Sequence, residues 1–76
     1  MAKTEEEWQE QATRHLKAEL KRAGVTYGGL ANLLKKQGFK KETKSSVASK
    51  LAEGRLTAAF FLAALKAIGS AGRQEQ

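Results

Sequence analysis

Seventy-six residues with no Cys and a formal net charge of +6 describe one small domain, residues 1–76, with a core too shallow to line a long catalytic cleft. Without Cys there is neither a disulfide nor a thiolate metal site, so caps and packing must hold the fold, as suits a reducing cytoplasm. No apolar run reaches membrane-spanning length, and the opening Lys3-Thr4-Glu5-Glu6-Glu7 lacks the apolar segment of a signal peptide, so a cytoplasmic location is expected.

Four threonines, Thr4, Thr26, Thr43 and Thr57, stand where helices can begin, and four glycines, Gly24, Gly38, Gly54 and Gly69, stand where they can end. With no Pro and no alternating strand pattern, this predicts an all-α fold of four helices. The first opens on Thr4-Glu5-Glu6-Glu7, a capping box with three carboxylates at the positive end of the helix dipole. Trp8, Ala12, Leu16, Leu20 and Ala23 then share a stripe, which makes Trp8 a core anchor, and Glu10 with Arg14 has the spacing of an i,i+4 ion pair. His15 is the only His and has no partner at metal-ligand spacing, so it reads as structural or merely exposed.

Gly24-Val25 predicts a Schellman ending, after which Thr26-Tyr27 starts the second helix with Leu30, Leu33 and Leu34 inward. Gly28 and Gly29 in its first turn cost about 1 kcal/mol each against Ala, a cost that suggests close approach by another helix or by a phosphate oxygen. Gly38-Phe39 repeats the glycine–hydrophobic ending and leads through Lys40-Lys41-Glu42 to a third helix over 43–53. There Val47 and Leu51 form a thin apolar stripe, while Ser45, Ser46 and Ser49 make a small polar face flanked by Lys44 and Lys50. A face without bulk can approach another molecule closely and still offer hydroxyls, as a helix in a DNA major groove must; a solvated surface helix has the same pattern.

The fourth segment, Thr57 to Ile68, is apolar nearly all round, with Phe61, Ala64, Leu65 and Ile68 on one stripe and Phe60, Ala63 and Ala67 on a second. One stripe suffices for the core, so the second is expected either to be wrapped by the other helices or to face a second copy or other partner. Residues 70–76 are polar and expected to fray. Charge is uneven: five Lys/Arg and five Glu cancel over residues 1–22, residues 23–55 carry +5, and residues 56–76 carry +1. The basic excess surrounds the serine-faced helix, as expected for a polyanion partner, though solubility charge can look alike.

The run Leu20-Lys21-Arg22-Ala23-Gly24-Val25-Thr26-Tyr27, then Leu30-Ala31, Gly38-Phe39, Ser46-Val47, Glu53-Gly54 and Leu62 to Gly69, resembles the phage-repressor-like helix-turn-helix pattern. The stretch from Trp8 to the Phe60-to-Gly69 ending is also similar to a group of small uncharacterised bacterial domains. The resemblance covers residues 8–69 and implies a lambda-repressor-like domain of four or five helices that binds double-stranded DNA, as a small bacterial or phage transcriptional regulator does. The second helix and the connection before the third are longer than the pattern has, and the third lacks the Gln and Arg often used on base edges. In that reading Ser45, Ser46 and Ser49 face bases, Tyr27, Lys40, Lys41, Lys44, Lys50 and Arg55 meet phosphates, and Phe60, Ala63 and Ala67 form a dimer or partner face. The alternative is a protein-interaction module using that last face without nucleic acid. An enzyme, a metal site and a cofactor are not expected: there is no Asp, and no pair of Glu residues placed as in a pocket.

Overall fold

The computed structural model describes the backbone of residues 4–73 and the side chains through Ser70. Four helices follow one another: α1 (Glu5–Ala23), α2 (Tyr27–Lys36), α3 (Lys44–Glu53) and α4 (Ala58–Arg73), and the described residues contain no strand. Each predicted start is made by its threonine. At α1 the Glu7 N–H donates to Thr4 Oγ1 at 3.2 Å while the Glu7 carboxylate accepts the Thr4 N–H at 2.9 Å, which is the reciprocal capping box. Thr26 accepts from Gly29 N–H at 3.0 Å, and Thr57 accepts from Phe60 N–H at 3.1 Å.

The first two endings are Schellman turns. Gly24 has φ 71°, its N–H reaches the Lys21 carbonyl and the Val25 N–H reaches Leu20, so two orphan carbonyls of α1 are met. Gly38 and Phe39 repeat this onto Lys35 and Leu34. Gly69 ends nothing: α4 runs on to Arg73, because Gly69 is not in the left-handed region and buried Ile68 anchors the helix beyond it. Of residues 70–76, expected to fray, 70–73 continue α4 and 74–76 lie outside the described residues.

The core gathers Leu16 and Leu20 from α1, Leu30, Ala31 and Leu34 from α2, Val47 and Leu51 from α3, and Phe60, Ala64, Ala67 and Ile68 from α4. α2 packs on both α3 and α4, and α1 packs on α4. His15, exposed, lies beside Phe61, and Glu19, Arg22 and Ala23 lie beside Leu65, Ile68 and Gly69, so α1 and α4 run in the same sense.

Three expectations are corrected by this packing. Trp8 is 57% exposed and stands outside the buried core, whose first α1 members are Thr13 and Leu16. On α4 the inward stripe is Phe60, Ala64, Ala67 and Ile68, which takes residues from both expected stripes; Phe61, Ala63 and Leu65 flank it, and Leu62 is 65% exposed. Among the described residues Arg22 pairs with Glu19, an exposed pair, and Glu10 does not pair with Arg14.

Candidate nucleic-acid interface

The serine-faced helix is fixed at its start by a second capping box. The Ser46 N–H donates to Thr43 Oγ1 at 3.1 Å, and the Thr43 N–H donates to Ser46 Oγ at 2.8 Å. The single Ser46 proton goes to Glu42, whose Oε1 is 2.6 Å away, with the Thr43 carbonyl at 3.0 Å. Ser46 is thus committed to the cap and is half-buried, while Ser45 and Ser49 are exposed on the side away from Val47 and Leu51. The expected three-serine face is two serines wide.

Glu42 is the only acidic residue between Gly24 and Ala52, and it is 6% exposed. Lys50 Nζ forms an ion pair with its carboxylate and sits 4.8 Å from the centroid of the Phe60 ring, so that lysine is folded back onto the core rather than offered outward. Burial alone would raise the Glu42 carboxyl; the hydrogen bonds from Lys50 and Ser46 and the Lys50 charge outweigh it and hold the group below its usual range. Sequence reading put Lys50 on a phosphate and left Glu42 without a role. The available signal was that one acid stands four residues before Ser46 and eight before Lys50.

The remaining basic residues of this region are arranged differently. Lys35, Lys36, Lys40, Lys41 and Lys44 are all exposed, at the end of α2, in the turn after it and at the start of α3. Lys44 carries its stem over the first turn of α2, where a Cβ built on Gly28 would lie 4.0 Å from Lys44 Cβ and Cδ. The starts of α2 and α3 are therefore neighbours. Their two dipoles and the Lys44 charge add positive potential there. Tyr27, expected on the surface, is half-buried against the core, and Arg55 is exposed and paired with Glu53. Of the expected partner face, Phe60 and Ala67 are buried within the chain and only Ala63 is partly accessible.

Among the described residues no three His, Cys, Asp or Glu gather as metal ligands, and no helix is long and apolar enough to cross a membrane. Between Gly24 and Ala52 the exposed ionisable side chains are lysines, with Ser45 and Ser49 exposed on α3. Comparison with curated proteins and with solved structures finds no match. A family model described as "Domain of unknown function (DUF6471)" matches residues 8–72, nearly the whole folded part, and the chain belongs to that family.

Proposed function

We propose that this domain binds double-stranded DNA through the start of α3 and the lysine-bearing turn before it, as a small transcriptional regulator would. The observation that carries the reading is the burial of Glu42: with that carboxylate paired inward, the surface between Gly24 and Ala52 exposes lysines and no acid. Lys40, Lys41 and Lys44 supply phosphate contacts around α3, Lys35 and Lys36 extend the track, and Ser45 and Ser49 are the hydroxyls that face base edges. Two serines read little sequence, so affinity in this account rests on phosphates and preference on duplex shape. A partner-binding module built on the second apolar stripe of α4 loses support, since Phe60 and Ala67 serve the core.

A fluorescence anisotropy titration against a random duplex and a random single strand, at about 50 and about 200 mM salt, tests the reading. Duplex binding that weakens steeply between the two salts is expected. The absence of binding at the lower salt would remove it.

A further inference from the structure

A groove separates α1 from the last turn of α3, with Glu10, Thr13, Arg14 and Lys17 along its α1 side and Leu51 to Gly54 across from them. It continues toward the start of α1 past Glu6. At about 100° per residue Glu6, Glu10, Thr13, Arg14 and Lys17 fall on one face of the helix. Glu10 and Arg14 have the spacing that favours an ion pair, yet among the described residues none of Glu6, Glu10, Arg14 and Lys17 is paired within the chain. Thr13 is buried and its hydroxyl has no hydrogen-bond partner.

The order along this face is acid, acid, base, base, which is its own complement when reversed. We propose that it docks a second copy of the chain, with α1 antiparallel to the partner's α1 about a two-fold axis level with residue 12. Glu10 of each copy then meets Arg14 of the other, and Glu6 meets Lys17, over a span of about 16 Å. A uniformly acidic or basic partner would satisfy one half of the face and be repelled by the other, so the pattern selects a copy of itself. This face excludes the lysines of the α3 surface and leaves them exposed, so the proposal stands whether or not the domain binds DNA.

Sedimentation equilibrium of the full chain without nucleic acid, at about 50 and about 500 mM salt, tests it. A reversible dimer is expected at the lower salt, with an association constant at least tenfold smaller at the higher. Glu10→Arg and Arg14→Glu should each weaken self-association at least tenfold at unchanged circular dichroism. An equimolar mixture of the two variants should associate like the parent, since each then offers the other the opposite charge at both positions. A parent that stays monomeric at about 1 mM and low salt, a dimer indifferent to salt, or a mixture no better than the separate variants would each overturn the proposal.

Discussion

Glu42 holds two positions of the α3 surface at once: it fixes Ser46 within the cap and turns Lys50 inward over Phe60. Replacing Glu42 with Gln keeps the shape but removes the charge, leaving a half-buried ammonium without its anion. The expected loss is about 1–2 kcal/mol, readable as a lower urea midpoint. The pH dependence has a definite sign. Because the folded carboxyl titrates below its unfolded value, near 4.3, its contribution is present above that value and disappears as pH falls through the folded one. Acid titration of stability should thus be shallower below about pH 4.3 for Glu42→Gln than for the parent. Thr13 makes the opposite case, since its hydroxyl is buried and unmet. Thr13→Val should stabilise by about 1 kcal/mol, and thermal denaturation that showed a loss instead would mean the hydroxyl is satisfied in solution. Only the spacing of Glu42 from Ser46 and Lys50 was legible in the sequence: its burial and the orphaned Thr13 hydroxyl both depend on how helices meet.

At the scale of helices, the starts were legible because capping is local, each threonine meeting an N–H three residues on. The face of α4 was not, because a helix apolar nearly all round gives periodicity no contrast, and only packing against α1 and α2 selects Phe60 over Phe61. Trp8 fails for a related reason, since a stripe shows which side faces inward but not where the neighbouring helices stop. The two glycines opening α2 are now distinguishable. A methyl on Gly28 would make ordinary contact with Lys44 at 4.0 Å, whereas one on Gly29 would press to 3.2 Å on the Thr26 hydroxyl that caps the helix. Gly28→Ala should therefore raise stability by about 0.5–1 kcal/mol through helix propensity. Gly29→Ala should gain nothing or lose, with denaturant midpoints separating the two. If both gain equally, the Thr26 cap is more pliable than its geometry implies.

Over the whole molecule, charge is sorted by segment of the chain rather than spread. Acid lies at the start of α1, base lies along α2 and the start of α3, and the one acid among those lysines is buried. The basic excess was legible from composition along the chain; which lysines are available was not, since Lys44 and Lys50 look equivalent until Glu42 is placed between helix and core. The central claim is that exposed lysines, and not Lys50, meet the phosphates. It is tested most directly by the salt dependence of duplex affinity for the parent, for Lys40, Lys41 and Lys44 changed together to Ala, and for Lys50→Ala. With five exposed lysines engaged, the parent's log affinity should fall with log salt at a slope of roughly −4 to −5, the triple variant should lose about three-fifths of it, and Lys50→Ala, where still folded, should keep it. A slope unchanged in the triple variant, or lost in Lys50→Ala, would contradict the account.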